Sequence, residues 1–342
     1  MPSNYIGISF NAGGECNYCT GQTEPTKFAG LIALKKDIDS ILRNKPDRPY
    51  DCAVAFSGGR DSSYLLYFAK VVLGLRVLAV TMEHDFITPE AKDNIRRIVK
   101  ELNVDSEVIQ NKILNESSRA SLRNWSKKPD VAMCLTFCTG CRYGILRMIP
   151  DYVKKKGIPI LLVGDTPNEL MDYRVNLLCD NRPPSTKNRM MGFAKRLIQN
   201  PSYLVSCKTL FYQIREFIHW SNTEKITTPH IIKPFYYIEL REEEVLSKIK
   251  ELGWEYNHSF STTRRSDCYI NMIRQYFYKK GLGYNDVDVY FARLLRNNHI
   301  QLPEAIQCIQ AEGSYEESTI RSVLKELFGV DYDMVISNMT ES

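Results

Sequence analysis

The chain has 342 residues, 44% hydrophobic and 25% charged, and no apolar run approaches the roughly 18–20 residues of a membrane span. This usage excludes disordered and fibrous classes and suits one sizeable core with attachments. Lys plus Arg number 45 against 40 Asp plus Glu, a net charge of +5, which is too mild to imply nucleic acid alone but suits an anionic substrate.

The first residues, MPSNYIGISFNAGGEC, lack the basic start and apolar stretch of a secretory signal, so a cytoplasmic protein is expected. Residues 1–48 read as a Cys-containing segment with a helix, and residues 49–180 hold the clearest unit. Asp51 to Phe56 (DCAVAF) is a short buried strand that breaks at Ser57-Gly58-Gly59. From Asp61 the pattern is helical, with apolar Leu65, Leu66, Phe68, Ala69 and Val72 and a C-cap at Gly74. Arg76 to Thr81 predicts a second buried strand. Thr88-Pro89-Glu90 supplies an N-cap and N1 proline for a helix to about Leu102. Ser106 to Gln110 is a third strand, and a helix from about Cys141 to Lys156 leads to the fully apolar Ile158–Val163. Strands and helices alternating at this spacing predict an α/β fold, a doubly wound parallel sheet with right-handed crossovers. Residues 181–228, Pro- and Arg-rich and then aromatic, read as a helical insertion. Residues 229–342 supply the last core elements, a strand at Ile231–Tyr237 and a helix at 241–252, then a helical C-terminal cap from Tyr269.

Ser57 to Ser62 (SGGRDS) falls between a buried strand and a helix. A helix N-terminus leaves about four N–H groups unpaired and carries partial positive charge. The glycines admit an anion close to the backbone, and the serines add hydroxyl donors. Gly164-Asp165, after the last apolar strand, lies where open α/β sheets bind ligands.

The ten cysteines do not suit a disulfide framework in a cytosolic chain of this size. Cys16-x-x-Cys19 and Cys134-x-x-x-Cys138-x-x-Cys141 point to metal ligation or redox chemistry instead. Cys52, Cys179, Cys207 and Cys308 read as small buried hydrophobes.

FSGGRDSSYLL resembles the SGGxDS pyrophosphate loop of the N-type ATP pyrophosphatases, the PP-loop superfamily with its adenine nucleotide α-hydrolase-like fold. All five specified positions match, and the Walker pattern is absent from this segment. The resemblance implies cleavage of ATP between the α and β phosphates and transfer of AMP to a substrate oxygen. It implies nucleotide contacts from Phe56, Ser57, Gly58, Gly59, Arg60, Asp61, Ser62, Gly164 and Asp165. Thr81, Met82 and the following Glu83-His84-Asp85 would border the adenine. Arg60 and a magnesium ion oriented by Asp61 would neutralise the departing pyrophosphate.

Two branches of the superfamily compete. GGECNYC, YDCAVAFSGGRDSSYL, KDNIRRIVKELNVD and KKGLGYNDVDVYFARLLRNNHIQLPEAI resemble the N-acetyl sugar amidotransferases of polysaccharide biosynthesis over most of the chain. Those enzymes carry an earlier second CxxC, which is missing here. Cys16 and Cys19 would therefore need Cys138 and Cys141 to close a four-thiolate zinc site. Cys138-Thr139-Gly140-Cys141 with the distant Cys268 instead resembles the tRNA thiolation enzymes, in which three cysteines hold an iron–sulfur cluster. Cys134 is a further candidate thiolate.

Both branches imply adenylation of a carbonyl or amide oxygen. Nitrogen then replaces it, with ammonia from a glutaminase, or sulfur does, from a sulfur-donor protein. The amidotransferase reading ranks first. The expected substrate is a small molecule, a sugar or a nucleobase, held by Arg264 and Arg265. No membrane partner is expected, tRNA is not favoured, and a homodimer is compatible with the pattern.

Overall fold

A computed structural model describes residues 2–21, 27–43, 48–110, 112–169, 172–205, 229–258, 260, 262–313 and 315–340. Five strands form one wholly parallel sheet: β1 (Cys52–Ala55), β2 (Val77–Glu83), β3 (Asp105–Gln110), β4 (Ile160–Leu162) and β5 (His230–Ile232). Their order is β3-β2-β1-β4-β5. The chain winds outwards one way from β1 to β3, then returns to place β4 on the other side of β1. The sheet is therefore doubly wound, with its topological switch point between β1 and β4, paired through Cys52 and Ile160.

Alternation along the strands divides the core. Cys52, Val54 and Phe56 face a layer formed by the helices Leu31–Leu42, Arg60–Tyr67, Pro89–Glu101 and Glu242–Glu251. Ala53, Leu78, Val80 and Met82 face the other layer, with Leu114, Ile149 and Val153. Thr88 caps its helix as expected, accepting from the Ala91 amide at 3.4 Å. Gly74 has φ +67° and follows the helix end, as a C-terminal glycine should.

The predicted helix ending at Lys156 starts earlier, at Thr139, and two unanticipated helical stretches precede it at Lys112–Lys127 and Val131–Cys138. The tail is helical throughout, in five segments between Tyr269 and Thr340. It closes a second core around Trp125, Phe137, Phe277, Tyr278 and Phe328, to which Tyr5 of the N-terminal segment also belongs. Of the expected insertion, helices Thr186–Gln199 and Ser202–Val205 are seen. Cys207 and most of the aromatic stretch to residue 222 lie outside the described residues. Among the described residues no helix is long and apolar enough to cross a membrane.

Candidate active site

The loop Ser57–Ser62 leaves β1 at the switch point, and its shape requires Gly58. Gly58 has φ +76°, and a Cβ there would sit 2.2 Å from the Ala91 carbonyl oxygen, so the loop lies directly on the Pro89–Glu101 helix. Two side chains fix that contact. Asn94 Nδ2 and Trp254 Nε1 both donate to the Gly58 carbonyl oxygen, at 3.1 and 3.0 Å. Inside the loop, Ser57 Oγ and Ser62 Oγ lie 3.1 Å apart, and the Ser62 and Ser63 hydroxyls donate to the Gly59 carbonyl oxygen. Thr81 on β2 donates to the Phe56 carbonyl oxygen at 2.8 Å, which ties the end of β1 to its neighbour. Thr81 thus supports the loop from below. Met82 packs where a Cβ on Gly144 would collide with its sulfur.

Gly59 is the N-cap of the helix that begins at Arg60, so the amides of its first turn face the loop. Arg60 is nearly buried. Its Nε donates to Asp61 Oδ1 at 2.7 Å and its Nη1 to Glu242 Oε1 at 2.8 Å. Burial alone would raise the Asp61 carboxyl, but Arg60, Arg264 and Arg265 outweigh it and hold Asp61 below the usual carboxylate range. Asp61 is therefore an ionised carboxylate beside the unpaired amides of its helix N-terminus. Gly164 passes next to it, and an added Cβ would be 3.5 Å from the Asp61 carbonyl oxygen. Asp165 is turned to Lys233 at 2.8 Å.

Sequence reasoning missed four acids that complete this site. Glu242, first residue of its helix, accepts from Arg60 on one oxygen and from Arg264 on the other. Glu312 faces Arg264, and Glu169 faces Arg265 at 3.3 Å. Asp267 lies over the loop, where a Cβ on Gly59 would come within 3.0 Å of its Oδ2. Burial raises the Asp267 carboxyl, against a hydrogen bond from Ser57 that lowers it. Only Asp267 carried a local signal, its place between Arg265 and Cys268. The acids at 242, 312 and 169 are distant in sequence from everything they touch.

His84 is buried against Phe86, and its Nδ1 accepts the Phe86 amide at 3.3 Å. Burial pushes its imidazole down to about 4, so it is neutral at physiological pH.

The cysteines separate into three places. Cys134 is fully buried in the helical core, and burial pushes its thiol well up. Cys16 and Cys19 face each other across 3.4 Å in the N-terminal segment, near Tyr18 and Arg296. Cys268 follows Asp267, and its thiol is raised by burial and then by neighbouring Cys138 and Cys141. Arg274 Nη1 donates to Cys138 Sγ at 3.2 Å. Cys268 thus lies near both Cys138 and Cys141. Even so, among the described residues no three His, Cys, Asp or Glu side chains converge closely enough to enclose a metal ion.

No protein-family profile matches the chain. It is 28% identical over 133 residues to the uncharacterized protein MJ1599 of Methanocaldococcus jannaschii, a match spanning 38% of this chain and only 44% of that protein. It is 25% identical over 284 residues to the pyridinium-3,5-bisthiocarboxylic acid mononucleotide synthase of Lactiplantibacillus plantarum, covering 83% and 82% of the two chains. Among solved structures it is similar to the NMN synthetase of Francisella tularensis, with TM-score 0.40, 12% identity and coverage of 82% and 89%. A U34-tRNA thiolase, NcsA of Methanococcus maripaludis with its [4Fe-4S] cluster, gives TM-score 0.34, 15% identity and coverage of 88% and 90%. The strand order, the parallel register and the SGGRDS loop at the β1 switch point give this chain the doubly wound α/β fold that its sequence leads one to expect.

Proposed function

We propose that the chain binds ATP at Ser57–Ser62, transfers AMP to a carbonyl or carboxyl oxygen of a small molecule, and releases pyrophosphate. The observation that carries this reading is an anion-ready helix N-terminus at the sheet's switch point, adjoining a cavity lined by Arg264 and Arg265. Such an oxygen is a poor leaving group until it is esterified to AMP. Positioning and charge neutralisation then carry most of the rate.

The loop amides and the Ser57 and Ser62 hydroxyls would hold the phosphates. Asp61 and Asp267 both lie at this loop and would repel a polyphosphate unless a cation stood between, so the donor set fits magnesium. When bound, magnesium would offset charge on the leaving pyrophosphate. Arg60, fixed by Asp61 and Glu242, would add a second positive charge. Assay of reaction products tests the reading: AMP and pyrophosphate are expected, and ADP with phosphate would overturn it.

For the entering atom we favour nitrogen, supplied as ammonia by a glutaminase partner. Cys134 is fully buried and Cys268 half-buried, and burial raises both thiols, whereas a sulfur carrier needs an accessible thiolate. A second reading, sulfur transfer, draws support from Cys268 lying one residue after Asp267 with Cys138 and Cys141 as neighbours. The relative from L. plantarum, by its name, makes a bisthiocarboxylic acid. Turnover with ammonium and unchanged activity in Cys268→Ala would favour nitrogen. Iron and sulfide in anaerobically purified protein, lost together with activity in Cys268→Ala, would favour sulfur.

A further inference from the structure

Arg265 is held in a backbone conformation that arginine seldom adopts. Its φ is +50°, in the left-handed region, where a side chain is strained and glycine is not. Three hydrogen bonds pin it there. The carbonyl oxygens of Ser266 and Asp267 accept from the Thr88 hydroxyl and amide, at 3.2 and 3.0 Å. The Arg265 carbonyl oxygen accepts from Asn271 Nδ2 at 3.3 Å. Strain that its surroundings over-determine in this way collects where a side chain is aimed at a site.

The side chain so aimed is little used. It is 45% exposed, and among the described residues its one hydrogen-bond partner is Glu169, at 3.3 Å. Arg60 and Arg264, by contrast, are nearly buried and both committed to Glu242. The Arg265–Glu169 pair also has a particular place. Cys268 bridges to Ile87, which ties the Arg265 segment to the end of β2, whereas Glu169 follows the end of β4. In the sheet β1 lies between those two strands, so the pair spans the loop that leaves β1. Contacts on both flanks agree. Gly164, on the Glu169 side, lies against Asp61 and Ser62, and Asp267, on the Arg265 side, lies against Gly59. The charges of Arg265 and Glu169 are both felt at Asp61.

We propose that this pair is a latch over the nucleotide site: Glu169 holds Arg265 in the free protein, and the phosphates of ATP take Arg265 from it. The latch rests on the ATP binding proposed above and adds to it a contact residue and a means of regulation. A half-exposed ion pair contributes little, whereas phosphate offers a guanidinium two parallel charge-assisted bonds, so the exchange favours the nucleotide. Arg60 is fixed by Asp61 and Glu242 and lends its charge without moving.

Arg265→Gly separates the side chain from the backbone, because glycine adopts φ +50° without strain. Its melting temperature should equal or exceed that of the parent protein. Calorimetry should show its affinity for magnesium α,β-methylene-ATP reduced about tenfold and its affinity for adenosine unchanged. Arg265→Lys should recover part of the loss. Should the glycine variant not fold, Arg265→Asn, also at ease in left-handed backbone, takes its place. Glu169→Gln should tighten analogue binding several-fold, but not when Arg265 is already replaced, since it acts by releasing the arginine. Parental affinity in a folded Arg265→Gly protein, or an equal gain from Glu169→Gln with and without Arg265, would overturn the latch. Arg265-dependent analogue binding in a protein that releases no pyrophosphate would keep the latch and refute the adenylation reading. Pyrophosphate release and analogue affinity both unaltered in Arg265→Gly would do the reverse.

Discussion

Trp254 and Gly58, 196 residues apart, are joined by a 3.0 Å hydrogen bond from the indole N–H to the loop carbonyl oxygen. Asn94 makes a second bond to the same oxygen and also pairs with the Glu255 backbone through both ends of its amide. Two elements that flank the sheet thereby hold the Ser57–Ser62 loop at one point. Trp254→Phe keeps the packing and leaves Asn94 in place, so a loss of about 1 kcal/mol is expected. Asn94→Ala orphans more buried groups and should cost about 1–3 kcal/mol. Both should raise the KM for ATP, and denaturant titration with steady-state kinetics measures both effects.

Gly58→Ala should be worse than either. It forces a side chain into positive φ and into the Ala91 carbonyl oxygen at 2.2 Å. Backbone strain of this kind costs about 1–3 kcal/mol, and relieving it would pull the loop off its helix. ATP binding should fall at least tenfold. An alanine variant with wild-type nucleotide affinity would show that the loop conformation is not what binds the phosphates.

His84 provides a pH signature. Its folded value of about 4 lies below the ordinary 6.5 because burial penalises the imidazolium. Protons therefore bind the unfolded chain first as pH falls. The stabilising contribution is complete above pH 6.5 and disappears between 6.5 and about 4, a loss of order 3 kcal/mol. His84→Asn retains an acceptor for the Phe86 amide and does not titrate, so its melting temperature should vary less across that window. Parallel melting curves of the two proteins at pH 4.5 and 7.5 would show this.

Cys134 should act through packing alone. Cys134 packs in the helical core, so Cys134→Ala should cost about 1–2 kcal/mol through the cavity it leaves and should spare pyrophosphate release. Loss of pyrophosphate release in a folded Cys134→Ala protein would return that thiol to the active site.

Glu242 balances two arginines, so its neutralisation should be felt at both. Glu242→Gln keeps the shape and removes the charge that Arg60 and Arg264 share. Charged hydrogen bonds contribute about 1.5–3 kcal/mol each, discounted here because the carboxylate is one-third exposed. The expected outcome is a folded protein with a several-fold higher KM for ATP. An unchanged KM would mean that Arg60 does not depend on Glu242.

Local chemistry was enough to determine the parallel sheet, the glycine turn at Ser57–Ser62 and the helical tail. Apolar runs such as Cys52–Ala55 and Ile160–Leu162 can be satisfied only inside a covered sheet, and SGGRDS states its turn, its hydroxyls and its helix start within six neighbouring residues. Arg264, Arg265 and Cys268 were legible as candidates because they crowd one short string. Their partners were not. Glu242, Glu312 and Glu169 sit in stretches whose sequence reads as ordinary helix or loop, and their pairings arise only where the fold brings distant segments together. The cysteines show the same limit. Spacing named Cys16, Cys19, Cys138, Cys141 and Cys268 as ligands, but which thiols meet is a matter of distance through the fold. The meeting of Cys16 with Cys19 is local, within one helical turn, whereas tertiary structure brought Cys268 towards Cys138 and Cys141 and buried Cys134 among aromatic side chains, because burial and proximity there depend on residues far apart in the chain.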